Sequence, residues 1–226
     1  MKLIRQSFEI LSPLDGDVIM REIERSARLC YKSEDKIGPG SADKLVTSLT
    51  ERGHYPMIEL GGVIKIRFIT NRGVSHELVR HRPCHMCGSW ECGSFAMEST
   101  RYCNYSKGKH GSQITFIEPC WFPGLIQRWK IPEASFSERE DNWLKGMIDC
   151  EKRYFVDIAL GAPPQEAREQ LPQSLKTELD VMANIREWMH ILTQRTSKAA
   201  HPQMRDLMLP LLKVLKKELP ILFGDI

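Results

Sequence analysis

Three adjacent basic residues, Arg80, His81 and Arg82, stand out as groups that could do chemistry. They place two permanent cations on either side of an imidazole, and residues 99–101 (Ser-Thr-Arg) add two hydroxyls and a further guanidinium. The planar fork of a guanidinium pairs two phosphate oxygens at once, so this set favours an anionic ligand. A solvated helix end is the alternative, because short basic clusters also occur there.

The wider charge pattern also favours small anions. The net charge of +3 is too small to indicate nucleic acid by itself. Residues 65–82 hold five Lys or Arg against Glu77 alone, and residues 195–217 hold six against Asp206 alone. Such local excess suits a phosphate or a polyglutamate as well as a polymer, although the second run also fits a solvated helix face. The sequence has no glycine fingerprint or phosphate loop, so side chains would have to hold any nucleotide phosphates.

Seven cysteines raise the question of a metal, because Cys84, Cys87 and Cys92 lie close together. With His85 or Cys103 they would supply the soft ligands of a zinc knuckle. The second spaced pair that structural zinc sites usually have is missing, so no firm metal site is predicted. A redox pair and a loop with free thiols remain open as alternatives.

The composition is that of an ordinary globular protein, with 42% hydrophobic and 27% charged residues among 226. This length favours one domain. No apolar run reaches the roughly 18 residues of a membrane span. The chain opens without a signal-like segment, so we expect a cytoplasmic protein with reduced cysteines.

Periodicity predicts the elements that would position these residues. Alternating segments predict strands over residues 2–11, 62–70 and 113–117. Helical spacing, caps and stops predict helices over residues 15–31, 74–80 and 138–160, and a short helix with Ser41 as its N-cap that runs to residue 51. Another is predicted from Ser174 or Thr177 to about residue 198, and a last one from Pro202 to before Pro220. This order indicates an α/β or α+β domain.

Several segments together resemble one enzyme family. In chain order these segments are GHYPMIE at 53–59, RHR at 80–82, ESTRYCNYS at 98–106 and the segment 167–205, which begins with AREQLP and ends with TSKAAHPQMR. In this order they resemble the flavin-dependent thymidylate synthases (ThyX). The resemblance implies a single α+β domain over residues 1–226, with a central mostly antiparallel sheet and long helices. It also implies a homotetramer.

The resemblance implies an activity as well. Such enzymes convert dUMP to dTMP by reductive methylation, using methylenetetrahydrofolate, FAD and NADPH. The implied partners are these small-molecule nucleotide and folate substrates, with no nucleic acid and no membrane. All three classes of ligand are anions, which an arginine-rich site without a glycine loop suits.

The family motifs carry roles to individual positions of this sequence. The resemblance implies that Arg195 is catalytic, as a fixed cation against the uracil ring. The implied dUMP contacts are Glu77, Arg80, Glu98, Ser99, Thr100, Arg101, Arg168 and Arg195. The implied FAD contacts are His54, Arg80, His81, Arg82, Asn184, Arg186 and His190.

The predicted helix ending near residue 198 would bring two of these implied contacts together. Asn184, Trp188, Ile191 and Arg195 follow helical spacing there, so we expect them to share a face that lets the two implied contacts, Asn184 and Arg195, line one pocket. The alternative is a core stripe with polar ends.

The sequence departs from the family inside its signature. Sixteen residues separate Arg82 from Ser99, more than in the family, so residues 83–98 contain a Cys-rich insertion. Glu77 stands where the family commonly has Gln, and His190 stands where it frequently has Asn. Met97 stands where the family usually has Gln or Glu. Three alternatives therefore remain: a related flavin enzyme acting on dCMP or leaving a hydroxymethyl group, a flavin-binding relative that has lost catalysis, and a zinc-bearing nucleic-acid-binding module.

Overall fold

A computed structural model of the chain describes residues 1–81, 93–108 and 111–226. Arg82 and the possible zinc ligands Cys84, Cys87 and Cys92 lie outside these described residues, so the predictions made for them stay predictions. None of the helices in the described ranges is long and apolar enough to cross a lipid bilayer.

The described residues form a mixed α+β structure, which confirms the predicted fold class. The strands are β1 (Lys2–Ile4), β2 (Ser7–Ile10), β3 (Val63–Asn71), β4 (Gly93–Met97), β5 (Thr115–Ile117) and β6 (Lys176–Asn184). The α-helices are α1 (Gly16–Tyr31), α2 (Ser41–Glu51), α3 (Arg72–Leu78), α4 (Leu125–Trp129), α5 (Glu138–Ala159), α6 (Pro164–Ala167), α7 (Ile185–Arg195), α8 (Pro202–Glu218) and α9 (Pro220–Phe223). Short 3₁₀ segments cover Glu34–Lys36, Tyr55–Gly61 and Arg168–Gln170.

Two sheets organise the strands. The larger is antiparallel and has the strand order β2-β3-β6-β4, while β1 and β5 form a separate parallel pair in which Leu3 lies opposite Phe116. Residues 2–11, predicted as one strand, are therefore two. The chain changes partners between β1 and β2, since β1 pairs with β5 and β2 with β3.

The chain divides into two compact units. The first unit comprises Met1–Ser7, Phe68–Val79 and Ala96–Leu179. The second unit comprises Phe8–Arg67, Arg80–Phe95 and Asp180–Ile226. The expectation of a single domain stays a prediction.

The first unit is built around α5. Leu144, Met147 and Tyr154 of this helix are buried in an apolar cluster that includes Phe116 of β5. The helix begins where predicted because Ser137 and Glu140 form a reciprocal capping box, which satisfies two of its terminal N–H groups.

In the second unit, α1 and α7 pack on the Tyr55–Gly61 segment, and α8 packs on α7. Ile23, Ile58 and Trp188 are completely buried, and the Trp188 indole N–H donates to the Ile64 carbonyl at 2.9 Å. That bond satisfies the polar group of a large core side chain. Helix α1 begins where predicted, with the Asp15 carboxylate accepting from the Val18 N–H at 3.0 Å.

One prediction about the C-terminal half is wrong. Residues 176–184 form strand β6 rather than the start of a helix, and α7 begins only at Ile185. Burial alternates along β6, because Thr177, Leu179, Val181 and Ala183 are buried and the residues between them are not. This period of two is that of a strand with one covered face.

Two helix starts also differ from the predictions. Ser41 is the first residue of α2 rather than its N-cap, which is Gly40 in a left-handed conformation. Helix α3 begins at Arg72, two residues before the predicted start at residue 74, because the Asn71 side chain accepts from the Val74 N–H at 2.8 Å.

Two glycines give a test of helix packing. A Cβ at Gly16, the first residue of α1, would lie 2.1 Å from the backbone oxygen of Glu218, whereas a Cβ at Gly146 within α5 would meet nothing within 4 Å. We expect Gly16→Ala to lower the free energy of unfolding by about 1–3 kcal/mol, since backbone must move. Gly146→Ala is the matched control and should raise it by about 0.5–1 kcal/mol, because alanine is the better helix former. Urea unfolding measures both values, and shifts of the same sign would contradict this account.

Candidate functional site

One candidate site in the second unit is a cavity of about 580 Å³. Among the described residues it is lined by Arg80, His81, Glu187, His190, Gln194 and Arg195, and we call it the His81 pocket. Helix α7 supplies four of these residues, because 187, 190 and 194 follow helical spacing along one face and Arg195 lies beside that face.

A short hydrogen bond in the His81 pocket joins the catalytic candidate Arg195 to the buried His81. The Nε of Arg195 donates to Nε2 of His81 at 2.6 Å, although the two residues are 114 positions apart. A histidine nitrogen accepts only when it carries no proton, so this imidazole is neutral and holds its hydrogen on Nδ1. Burial, then the charges of Arg195 and His190, lower the pKa of His81 to about 4, which fits that state.

Two further ionisable groups surround the imidazole. The Glu187 carboxylate lies 4.0 Å from Nδ1 of His81, and burial raises the pKa of Glu187 against the opposing charges of His190 and Arg186. The His190 ring meets His81 edge-on with 5.9 Å between centroids. The pocket therefore contains two groups, His81 and Glu187, whose pKa values are shifted by their surroundings, as is common at functional sites.

A larger groove of about 1120 Å³ also belongs to the second unit. We call it the Arg186 groove, after the cation at the start of α7. Arg186, Lys198 and Arg205 line it together with hydroxyl groups such as those of Thr193 and Ser197, and with apolar side chains from α8 and α9. It thus offers cations, hydrogen-bond donors and apolar walls to one ligand.

The second unit also contains the predicted residues His54, Asn184 and Arg186. The Arg186 guanidinium pairs with Glu59 at 2.5 Å and lies 5.8 Å from the Tyr55 ring centroid. His54 is exposed and directly precedes the Tyr55–Gly61 segment. Asn184 is the N-cap of α7, where its side chain accepts from the Glu187 N–H at 2.8 Å.

Among the described residues, Asn184 does not line the His81 pocket with Arg195, in contrast to the prediction. Asn184 precedes the helix, and Trp188 and Ile191 are buried in the core. The residues that α7 presents with Arg195 are instead Glu187, His190 and Gln194.

The first unit holds a second, smaller cavity of about 240 Å³. It is lined by Arg72, Thr100, Arg168, Glu169, Leu171 and Leu175, and we call it the Arg72 cavity. It brings together two predicted dUMP contacts, Thr100 and Arg168. Glu169 lies beside Arg168, with 3.7 Å between the charged groups.

The other predicted dUMP contacts in the first unit have protein partners. Glu98 pairs with the Lys176 ammonium at 3.0 Å, and the Arg101 Nε donates to Gln165 at 3.1 Å. The Ser99 hydroxyl accepts from the Arg101 N–H at 3.3 Å. Glu77 is half-buried on α3.

Sequence reasoning missed Arg72, Glu187 and Gln194. The last two could have been found from His190, because they lie three residues before it and four residues after it on the helix. Arg72 was only one of the cations in the basic run 65–82, and its proximity to Arg168 depends on the fold.

The described residues offer no firm metal centre. In residues 1–81, 93–108 and 111–226, no group of three or more His, Cys, Asp or Glu is placed to hold a metal ion. The possible zinc ligands fall in the gap before residue 93.

An α+β fold with cavities lined by arginine suits a protein that binds anionic ligands. Comparison with known proteins gives the family. Residues 19–221 match the family described as thymidylate synthase complementing protein, and the chain belongs to this family.

Named relatives are similar over most of their length. The flavin-dependent thymidylate synthase of Mycolicibacterium vanbaalenii is 28% identical over 223 residues, which cover 93% of this chain and 81% of that protein. That of Corynebacterium aurimucosum is 28% identical, covering 90% and 78%. That of Geobacter sulfurreducens is 24% identical, covering 88% and 78%.

Proposed function

We propose that this chain is a flavin-dependent thymidylate synthase that converts dUMP to dTMP, with methylenetetrahydrofolate, FAD and NADPH. Family membership and the names of the relatives support the reaction class. The observation that carries the proposal is the Arg195–His81 hydrogen bond in a pocket that also contains Arg80 and His190. Three positions that match family motifs, Arg80, His81 and Arg195, converge there from two distant segments.

The donor set of the Arg186 groove fits a flavin dinucleotide. Such a cofactor combines a pyrophosphate with flat ring systems, so it needs cations beside apolar walls. Arg186, Lys198 and Arg205 supply the cations, while Leu209 and Leu212 supply apolar surface. We propose that Arg186 and His190 hold FAD, with His54, Asn184 and the RHR segment as further contacts. When bound, the flavin supplies the hydride of the reaction.

The remaining chemistry falls to side chains of the chain itself. We propose that Arg195 stabilises negative charge that develops on the uracil ring, because a fixed cation in a partly closed cavity needs no reorganisation. His81 accepts from the Arg195 Nε and thereby orients the guanidinium. Thr100 and Arg168 are proposed to bind the phosphate of dUMP, with Ser99 and Arg101 beside them, and Glu77 and Glu98 to contact the nucleoside.

The resemblance to ThyX also leads us to propose a homotetramer that acts in the cytoplasm on nucleotide and folate substrates. The single catalytic domain, and the Cys-rich insertion at residues 83–98, belong to the same proposal.

The absorption spectrum of the purified protein tests the cofactor. We expect a yellow protein that is bleached by NADPH and reoxidised when dUMP and methylenetetrahydrofolate are added together. Either substrate alone is the control. A colourless protein that takes up no FAD would overturn the proposal.

Product mass identifies the nucleotide. With dUMP as substrate we expect a gain of one methyl group, and with dCMP no change. A product from dCMP, or a hydroxymethyl product from dUMP, would instead assign the chain to a related flavin enzyme.

A further inference from the structure

We propose that Arg72 is a phosphate-binding residue, which acts with Arg168 and Thr100 on the phosphate of the nucleotide substrate in the Arg72 cavity. The proposal rests on the proposed function and deepens it, because it adds a residue that the family motifs do not supply.

Arg72 is held in place by two contacts within the first unit. Its backbone N–H donates to the Leu175 carbonyl at 3.1 Å, and its Nη2 lies 3.2 Å from Nε2 of His76, one turn along α3. A guanidinium has five N–H donors, of which the contact with His76 uses one. The side chain is thus oriented at the cavity wall with donors remaining for a ligand.

His76 is in the protonation state that this contact needs. Burial and the charge of Arg72 both lower the pKa of His76. A neutral imidazole accepts a hydrogen bond at Nε2, whereas a protonated one would repel the guanidinium.

Two basic residues near Arg72 have carboxylate partners, whereas Arg72 does not have one among the described residues. Lys176 pairs with Glu98, and Arg168 has Glu169 at 3.7 Å. In the part of the chain that the structure describes, no carboxylate lies within ion-pair distance of Arg72. A half-buried guanidinium without a carboxylate is stabilised by an anion that brings its own charge.

The chemistry of the cavity points to a phosphate group. Two guanidinium groups, of Arg72 and Arg168, line the same space with Thr100, which is buried, and Leu171 and Leu175 complete the wall. The volume of about 240 Å³ is below that of typical whole-ligand pockets. It therefore suits the charged end of a nucleotide rather than the entire molecule.

Among the described residues that line the Arg72 cavity, Glu169 is the one acid, and its charge opposes the binding of an anion. Its side chain is 78% exposed and reaches Arg168 only at 3.7 Å. An exposed pair of this kind contributes little, so a phosphate can displace it from Arg168.

Comparing the affinities of the flavoprotein for dUMP and for deoxyuridine isolates the contribution of the phosphate to binding. Arg72→Gln should weaken dUMP binding about 10- to 100-fold, as expected for the loss of charged hydrogen bonds. Deoxyuridine, which lacks the phosphate, should bind both proteins equally. Arg72→Lys should recover part of the affinity for dUMP, since it restores the charge without the planar fork. Titration calorimetry measures each dissociation constant.

Arg25→Gln is the matched control, because Arg25 is exposed on α1 and pairs with Glu22. It should leave dUMP binding unchanged. Thermal unfolding of each variant without ligand checks the fold. Equal losses for dUMP and deoxyuridine, or unchanged dUMP binding in Arg72→Gln, would overturn the proposal.

A binding test with inorganic phosphate distinguishes a failure of this proposal from a failure of the proposed function. If the unsubstituted protein binds no dUMP, the proposed function fails. The role of Arg72 still stands if phosphate alone raises the unfolding temperature of the unsubstituted protein and not of Arg72→Gln. If phosphate has no such Arg72-dependent effect either, both proposals fail.

Discussion

Arg195→Ala is expected to lower the turnover of dUMP about 10²- to 10³-fold while the purified protein keeps its flavin. This range is typical when a preorganised donor that faces developing charge is removed. Arg195 is half-buried in the His81 pocket, and its Nε is fixed by His81 at 2.6 Å. The cations that line the Arg186 groove do not include Arg195, so we expect flavin content to be preserved. Steady-state kinetics and the flavin absorbance of the same preparation test both parts.

Two further variants sharpen this test. Arg195→Lys keeps the positive charge but loses the fork that bonds His81, so its turnover should fall between those of the unsubstituted protein and Arg195→Ala. Lys213→Ala removes an exposed cation from α8 and should change nothing. Undiminished turnover in Arg195→Ala would exclude the proposed role of Arg195. Equal and negligible turnover in the unsubstituted protein and Arg195→Ala would indicate a flavin-binding relative without this catalysis.

Local signals in the sequence predicted much of the fold. Helices α1, α5 and α8 lie within a residue or two of their predicted limits, because each begins at a cap or a proline and presents an apolar stripe. Strand β3 was equally clear from its alternation. The secondary structure of such elements is determined mostly by their own residues.

Strand β6 shows where local reasoning fails. Its polar positions include Lys176, Glu178 and Asp180, which are compatible with a helix surface, and no proline or glycine separates it from α7. Asp180 instead pairs across the sheet with Arg67 at 2.7 Å, and this bond lowers the pKa of the Asp180 carboxyl. Pairing with β3 and β4 therefore decided the structure of a segment whose sequence alone was ambiguous.

The residues of the candidate site were also predictable from the sequence only in part. The resemblance to the family predicted roles for Arg80, His81, Arg195 and the divergent position His190, and the fold brings them to one pocket. They could not predict Arg72, because no motif contains it and its proximity to Arg168 depends on the bond between its N–H and Leu175. The proposed roles of all these residues stay predictions until the variants are measured.

Acidification is expected to destabilise the protein through His81. Its pKa is about 4 in the folded chain, against 6.5 for an unperturbed histidine. The unfolded state therefore binds more protons between these values, so stability is present above about pH 6.5 and is lost as the pH falls towards 4. This contribution amounts to about 2–3 kcal/mol between pH 7 and 4.5. Urea unfolding of the flavoprotein at several pH values, with flavin concentration held constant, measures it.

Two substitutions distinguish the histidine from its neighbours. His81→Gln keeps an acceptor for the Arg195 Nε but cannot be protonated, so its stability should depend less on pH than that of the unsubstituted protein. Glu187 acts in the opposite direction, since its raised pKa means that stability is lost as the pH rises above 4.5. Glu187→Gln removes that loss and should make the pH dependence steeper. The difference between the slopes of the unsubstituted protein and His81→Gln therefore reports the imidazole, and parallel slopes would show that His81 is not held neutral by burial and Arg195.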